Sequence, residues 1–296
     1  METSHPLLKG IEEGKFLELA RALTLVENQL TGSDLLLKSL KIKTSVPVIG
    51  ITGPPGAGKS TLVNSITSFF VKSGKRIAIL AVDPTSPFNY GSLLGDRIRM
   101  SQQFNDPNVY IRSVATRGAL GGISAKTLEM LDVLKSSNFD YILVETVGVG
   151  QSELDIAGLA DITLLVLVPE SGDEIQNIKS GFMEIAQAFI VNKADRDGAD
   201  LFANNLTKMV HDQKEFIPVF KTVAEKDEGI EALCNWIAGV KDFTNFRKNI
   251  LMAEKALQIL QFQKMKGVDK ERFLTEVTDA MQKPGFNIYV FVAHWV

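Results

Sequence analysis

The sequence predicts an α/β protein with a mostly parallel, doubly wound sheet and a helical extension at each end. Short β-rich runs alternate with amphipathic stretches between about residues 46 and 240. The runs are continuously apolar, as in strands that helices cover on both faces. A glycine-rich loop follows the first run, and acidic or amide residues end several others. Ligands of such sheets bind at the carboxyl ends of the strands, so we expect a binding site there.

The bulk properties restrict the kind of partner. The chain has 296 residues, 45% hydrophobic and 23% charged, with a formal net charge of -3. This charge provides no basic excess for nucleic acid and no polybasic run for an anionic membrane. The single cysteine, Cys234, excludes an intrachain disulfide and fits a reducing compartment. The N-terminus shows neither an apolar signal core nor an Arg-rich transit pattern, so we expect a cytoplasmic protein, although a processed organellar protein would look the same.

The order of elements along the chain suggests three segments. We expect an N-terminal helical extension at 1–43, the sheet domain at 44–240 and a C-terminal helical region at 241–296. The N-terminal helical stripe comprises Phe16, Leu19, Ala20, Leu23 and Val26. The strands are expected at 46–52, 76–83, 109–115, 140–146, 162–168, 188–195 and 216–224. The C-terminal stripes comprise Met252, Ala256, Ile259 and Leu260, then Phe273, Val277 and Met281. These stripes either cover the sheet or form a dimer interface, and the sequence leaves both open.

The run GPPGAGKS at 53–60 satisfies the phosphate-binding pattern G-x-x-x-x-G-K-[ST] between a predicted strand and a predicted helix. Glycines let the backbone N–H groups of the loop turn toward phosphate oxygens, and the helix adds its positive N-terminal end. Lys59 can reach the β- and γ-phosphates, and the Ser60 hydroxyl can ligate Mg²⁺. We therefore expect residues 44–240 to be a P-loop domain. The expected nucleotide contacts are Gly53, Pro54, Pro55, Gly56, Ala57, Gly58, Lys59, Ser60 and Thr61.

The tetrapeptide NKAD at 192–195 indicates that the base is guanine. The Asp195 carboxylate can accept from the ring N–H and the amine of guanine, whereas adenine would leave it unpaired. Asn192 would brace the loop, and the Lys193 stem would lie along the ring. Together with the P-loop, this motif predicts a GTPase that binds GTP and GDP with Mg²⁺.

Two acidic residues end strands between these motifs. Asp83 closes one run and Glu145 closes another, and each can hold Mg²⁺ or orient the attacking water. A helix cap or a structural turn is the other interpretation. Val149 stands after Gly148, where Ras-like GTPases have the water-orienting glutamine. We therefore expect slow intrinsic turnover, on the order of 10⁻⁴ to 10⁻² s⁻¹.

Longer strings resemble one family. VDPTSPFNYGSLLGDRIRM at 82–100, RSVATRGALGG at 112–122, VETVGVGQSE at 144–153 and GDEIQNIKSGFMEIA at 172–186 are similar to the MeaB/ArgK family, the methylmalonyl-CoA mutase-associated GTPases related to metallochaperone P-loop GTPases. The resemblance extends from the N-terminal helix to about residue 283. It implies a homodimer that acts as a chaperone of an adenosylcobalamin-dependent acyl-CoA mutase, gating cofactor loading and protecting the mutase.

The resemblance also implies residue roles. Ser60, Asp83, Asp96 and Glu145 would surround Mg²⁺, and Lys179 would support partner-stimulated hydrolysis, although Lys179 can equally be an exposed helix lysine. The fifth GTPase motif, usually close to Thr-Ser-Ala, reads Thr222, Val223 and Ala224, so we expect only backbone contacts to guanine from Val223 and Ala224.

Three other functions remain open. A metal-insertion GTPase would need clustered soft or imidazole ligands, whereas this chain has one cysteine and three scattered histidines. A transport-associated kinase would use ATP or GTP. The NKAD motif argues against the kinase that uses ATP. A nucleotide-bound scaffold without turnover would share every motif. The sequence does not identify which mutase would be the client.

Overall fold

The sheet domain is built on seven strands that all run parallel. A computed structural model of the chain describes residues 5–83, 103, 105–115, 124–146, 152–170, 185–211, 217–240, 246–265, 268–283 and 285–293. The strands are β1 (Val48–Thr52), β2 (Ile77–Asp83), β3 (Val109–Ala115), β4 (Tyr141–Thr146), β5 (Ile162–Leu167), β6 (Ala188–Asn192) and β7 (Val219–Thr222). Their order in the sheet is β3-β2-β4-β1-β5-β6-β7, and every pairing is parallel. The predicted doubly wound parallel sheet is confirmed.

The strand order reverses beside β1. After β1 the chain moves outward to β2 and β3, and after β4 it passes to the other side of β1 to form β5, β6 and β7. A crevice at the carboxyl ends of the strands is expected at such a reversal. The loop that follows β1 therefore begins where this type of sheet binds ligands.

Helices cover both faces of the sheet. The helices of the sheet domain are α4 (Lys59–Lys72), α5 (Ser124–Lys135), α6 (Ser152–Leu159), α7 (Ala199–His211) and α8 (Ile230–Gly239), with a 3₁₀ turn at Ala224–Lys226. Leu164 and Val166 of β5 pack in the core with α4 and α8, whereas Leu165 and Leu167 pack with α7. Because alternate residues of one strand enter different cores, the whole strand must be apolar. This arrangement explains the continuous apolar runs of the sequence.

Two strands end earlier than the sequence predicts. The run 188–195 forms a strand only to Asn192, because Lys193 has a left-handed backbone with φ of 56° that a strand cannot continue. The run 216–224 forms a strand only over Val219–Thr222, because Val223 leaves the parallel ladder and forms an antiparallel bridge with Glu228. Both early ends leave motif residues 193–195 and 223–224 outside the strands.

Three short helices precede the sheet, where the sequence predicts a helical extension: α1 (Leu8–Glu12), α2 (Phe16–Glu27) and α3 (Ser33–Ser39). Helix α2 buries Leu19, Leu23 and Val26, three of the five residues of the predicted apolar stripe. Its Glu27 forms an ion pair with Arg112 of the edge strand β3. The N-terminal helices therefore contact side chains of this edge strand.

The chain divides into two compact units at residues 1–249 and 250–296. The second unit contains most of α9 (Phe246–Met265), then α10 (Lys270–Met281) and α11 (Ile288–Ala293). The Asp269 carboxylate caps α10 by accepting from the backbone N–H groups of Glu271 at 3.0 Å and Arg272 at 3.1 Å. The helical nature of this region agrees with the sequence, while the segment boundaries near residues 43 and 240 stay predictions. Among the described residues, no helix is both long and apolar enough to cross a membrane.

Candidate nucleotide-binding site

The glycine-rich loop connects the end of β1 to the start of α4. Gly53 has φ of 141°, and a Cβ at this position would overlap the carbonyl oxygen of Val166 on β5. Gly58 has φ of 85°, and a Cβ there would overlap the side-chain amide of Asn192. Both positions therefore need glycine for close approach as well as for backbone conformation. Gly56 also has a positive φ, of 79°, but faces open space.

The N-terminus of α4 opens at this loop. Among the described residues no side chain caps the helix, whose N-cap residue is Gly58. The first-turn N–H groups of a helix carry partial positive charge and suit an anion. Thr61 and Leu62 continue the helix, and the Leu62 N–H closes the first helical bond to the Gly58 carbonyl at 2.9 Å. This end of the helix is suited to phosphate oxygens.

The side chain of Lys59 contacts the backbone of the glycine-rich loop. This side chain is buried, and Nζ donates to the carbonyl oxygens of Gly53 at 2.8 Å and Pro54 at 3.0 Å. Pro54 and Pro55 have no backbone N–H, so the N–H groups that can turn inward here come from the residues after them in the loop. The ammonium of Lys59 thus lies on the loop that the sequence assigns to phosphate.

Ser60 and Glu145 join α4 to β4. The Ser60 hydroxyl donates to Glu145 Oε1 at 2.6 Å, and the Glu145 residue is 8% exposed. Glu145 lies opposite Ile51 of β1 and opposite Ala81 of β2 in the sheet register. Asp83 ends β2, the strand next to β4. Two residues that are 85 positions apart in sequence therefore place hard oxygen atoms beside the first turn of α4.

Asn192 joins three segments of the site. Its side-chain amide donates to the Ala57 carbonyl at 2.9 Å. Its Oδ1 accepts from the Thr222 hydroxyl at 3.0 Å and from the Ala224 N–H at 3.2 Å. Lys193 Nζ donates to the Gly56 carbonyl at 2.7 Å. The NKAD segment is thereby attached directly to the glycine-rich loop.

Asp195 forms an ion pair with Lys226, with Nζ 3.0 Å from Oδ2. The hydrogen bond from Lys226 holds the pKa of Asp195 below its usual value, and the same bond raises the pKa of Lys226. Both side chains are partly exposed, so water screens the charges. The carboxylate stays ionised at neutral pH and can accept hydrogen bonds.

Comparison with known proteins fits this geometry. The family model described as methylmalonyl-CoA mutase-associated GTPase MeaB matches residues 19–282. The chain belongs to the MeaB family. It is a P-loop GTPase, and its sequence resemblance to MeaB/ArgK proteins is confirmed.

Individual relatives agree with this assignment. A GTPase of Pyrococcus horikoshii is 43% identical over 251 residues, which cover 82% of this chain and 79% of that protein. The mouse mitochondrial protein named methylmalonic aciduria type A homolog is 39% identical over 206 residues, or 64% of this chain and 50% of the mouse protein. A solved structure titled LAO/AO transport system kinase superposes with a TM-score of 0.67 at 23% identity, covering 93% of this chain and 90% of that one. At that identity the structure supports the fold alone.

The MeaB-family chain brings most of its predicted site residues together. Lys59, Ser60 and Glu145 lie around the start of α4, and Asn192 contacts Ala57 and Ala224. Asp96 and Lys179, together with residues 147–150, lie outside the described residues. The site roles predicted for Asp96 and Lys179 stay predictions.

Sequence reasoning missed two contacts of this MeaB-family site. Lys226 pairs with Asp195, although it stands two residues beyond the fifth motif. Ser65 of α4 donates to the Ala224 carbonyl at 2.7 Å. Neither residue belongs to a motif, and a lysine in a turn or a serine within a helix carries no signal of its own. The Ser65 contact fixes the backbone of the fifth motif, where the usual serine is replaced by Val223.

Proposed function

We propose that this MeaB-family GTPase depends on Mg²⁺ and is a chaperone and regulator of an adenosylcobalamin-dependent acyl-CoA mutase. It would gate cofactor loading and protect the mutase from inactivation in the cytoplasm. The observation that carries this proposal is the family match over residues 19–282, because that family is described as methylmalonyl-CoA mutase-associated. The name of the mouse relative, methylmalonic aciduria type A homolog, refers to the same methylmalonyl group.

The geometry supports a triphosphate at the start of α4. The loop backbone at Gly56, the first helical turn and the Lys59 ammonium supply donors and positive charge on one side of the sheet. In the proposed GTP complex the Lys59 ammonium exchanges its bonds to Gly53 and Pro54 for phosphate oxygens. Such a group stabilises the charge that develops in phosphoryl transfer.

The side-chain oxygen atoms of Ser60 and Glu145 are suitable ligands for Mg²⁺. A hydroxyl and a carboxylate are hard oxygen ligands, and 2.6 Å separates Ser60 Oγ from Glu145 Oε1. Asp83 at the end of the neighbouring strand and Asp96 are proposed to complete the set, directly or through water. When bound, Mg²⁺ neutralises charge on the β- and γ-phosphates. Glu145 then also orients the attacking water.

Guanine is proposed to lie beside the NKAD segment. Asp195 accepts from the two guanine donors, while Asn192 holds the segment against the glycine-rich loop. The Lys193 stem covers the base. Backbone contacts from Val223 and Ala224 to the guanine oxygen are part of the proposal. In the structure, the Ala224 N–H donates to Asn192 Oδ1 and the Ala224 carbonyl accepts from Ser65.

Slow turnover is part of the proposal. Val149 carries no group that can orient water, so intrinsic hydrolysis is limited, and the partner is proposed to accelerate it with the help of Lys179. GTP binding and hydrolysis then set how long the protein stays in the form that the mutase recognises.

The second unit supports a homodimer. Its described helices expose many large apolar side chains. Apolar residues scattered singly on a surface need no explanation, whereas this many on neighbouring turns favour an interaction surface. The exposed residues are Ile250, Met252, Leu257, Ile259, Leu260, Met265, Leu274, Met281, Ile288, Tyr289, Val290 and Val292. A second copy of the chain would bury the same faces symmetrically.

The proposal is tested by steady-state GTP hydrolysis with and without purified adenosylcobalamin-dependent methylmalonyl-CoA mutase. We expect the rate to rise roughly tenfold or more, which is modest beside the acceleration that partners give other GTPases. The Lys59→Ala variant gives the background, because it should lack triphosphate binding. An unchanged rate with the methylmalonyl, isobutyryl and ethylmalonyl-CoA mutases would contradict the chaperone role and leave the GTPase assignment intact.

A further inference from the structure

Lys226 comes from a turn with a firmly held backbone. Its own N–H donates to the Val223 carbonyl at 2.9 Å, and Val223 and Glu228 exchange backbone bonds at 3.0 and 3.3 Å. The Ala224 carbonyl accepts from Ser65 at 2.7 Å. The turn therefore presents the Lys226 stem from a fixed point, and Nζ reaches Asp195 Oδ2 at 3.0 Å.

The ammonium and the carboxylate form an ordered pattern of donor and acceptors. Lys226 offers up to three N–H donors, and the Asp195 carboxylate offers two acceptor oxygens. One N–H of Lys226 is used on Oδ2, which leaves the others for a further acceptor. The pair thus presents a donor immediately beside two acceptors.

The edge of guanine carries the complementary pattern. It has an acceptor oxygen at position 6, followed by the N1–H donor and the 2-amino donor. We propose that Lys226 is a specificity-determining residue that donates to the position-6 oxygen of guanine while Asp195 accepts from the two neighbouring donors. This inference rests on the proposed guanine role of Asp195. It adds a side-chain donor where the sequence suggested backbone contacts alone.

The same pair disfavours adenine. Adenine places an amino donor at position 6, facing the Lys226 ammonium, and an acceptor at N1, facing the Asp195 carboxylate. Each mismatch sets a donor against a donor or an acceptor against an acceptor, which weakens the binding of adenine relative to guanine. A lysine beside the aspartate therefore increases discrimination at both positions at once.

The test is nucleotide binding by Lys226→Met, which keeps most of the length of the side chain and removes every side-chain donor. Lys221→Met is the matched control, because Lys221 is similarly exposed and pairs with Asp200 at 2.7 Å. Binding of GDP and of 6-thio-GDP is measured by calorimetry at neutral pH. The sulfur analogue keeps both guanine donors but carries a weaker acceptor at position 6.

We expect Lys226→Met to bind GDP about tenfold more weakly than the natural protein, the low end for a hydrogen bond to a charged group. The natural protein and Lys221→Met should prefer GDP over 6-thio-GDP, and Lys226→Met should lose that preference. Lys226→Arg, which keeps donors, should restore part of it.

Three results would overturn the inference. GDP affinity equal to that of the natural protein, or a retained preference for oxygen over sulfur, would show that Lys226 does not contact the base. Tighter GDP binding by Lys226→Met would show that Lys226 only competes for Asp195. An Asp195→Asn variant that binds GDP normally would reject the underlying guanine role instead. None of these binding measurements depends on whether a mutase is the client.

Discussion

The side-chain amide of Asn192 donates to the carbonyl oxygen of Ala57 at 2.9 Å, across 135 positions of sequence. Asn192 is 2% exposed, and its Oδ1 accepts from Thr222 and Ala224. One buried side chain therefore holds the glycine-rich loop, the end of β6 and the turn after β7 in a fixed arrangement. The parts proposed to bind phosphate and base depend on this contact for their spacing.

Replacing Asn192 should affect stability and binding together. Asn192→Ala removes one donor and one acceptor that serve three buried bonds, so we expect the free energy of unfolding to fall by about 2–3 kcal/mol. GDP and GTP affinity should fall by similar factors, because the change affects the frame of the site. Urea unfolding and calorimetry measure the two effects. Asn205→Ala, on the exposed side of α7, is the control and should change stability by less than about 0.5 kcal/mol.

Gly53 should tolerate alanine less well than Gly74. Both have positive φ, of 141° and 75°, but a Cβ at Gly53 would overlap the Val166 carbonyl, whereas Gly74 faces open space. We expect Gly74→Ala to cost about 1–2 kcal/mol of unfolding free energy and to keep GDP affinity. Gly53→Ala should cost more and should weaken GDP binding. Equal effects of the two substitutions would contradict the close approach of β1 and β5.

Asp195→Asn should change base preference. The asparagine amide can donate to the oxygen that xanthine carries where guanine has its amine, and it no longer accepts two guanine donors. We expect GDP affinity to fall by more than about tenfold and xanthosine diphosphate to bind better than GDP. Competition between the two nucleotides measures the change. A variant that remains strictly guanine-specific would reject the assignment.

Glu145→Gln should raise the Mg²⁺ requirement. The amide keeps an oxygen that can accept from Ser60, but it loses the negative charge that attracts the cation. We expect the Mg²⁺ concentration for half-maximal GTP hydrolysis to rise by about tenfold or more, while GDP binding without Mg²⁺ changes little. A Mg²⁺ titration of hydrolysis checks this. Glu231→Gln, an exposed residue in the first turn of α8, is the control.

Cys234 should be inert until the domain unfolds. It is buried on α8, and burial raises the pKa of its thiol to about 12. A raised pKa means that this group contributes stability below its ordinary pKa near 9.0 and loses that contribution as pH rises toward about 12. We expect no reaction with a thiol reagent at pH 8 until denaturant unfolds the protein. Cys234→Ala should show a shallower loss of stability over the alkaline range, and rapid labelling of the native protein would contradict the buried position.

The sequence by itself determined the class of fold and the two motifs at 53–60 and 192–195. Continuous apolar runs specify strands covered on both faces, because each strand contributes to two cores. Glycines, a lysine and a hydroxyl in a fixed order specify a loop whose conformation depends mainly on local backbone preferences. These features depend on residues close together in the chain, so a single sequence is enough to read them.

Only the tertiary structure decided which of these residues meet. The order β2-β4-β1-β5-β6 brings Glu145 to Ser60 and Asn192 to Ala57, pairs separated by 85 and 135 positions. The left-handed backbone of Lys193 ends β6 early, and the turn after β7 places Lys226 on Asp195. Such contacts arise from the packing of distant strands, and no local pattern in the chain encodes them, because a side chain at a strand end or a turn fits many partners until the sheet order is fixed.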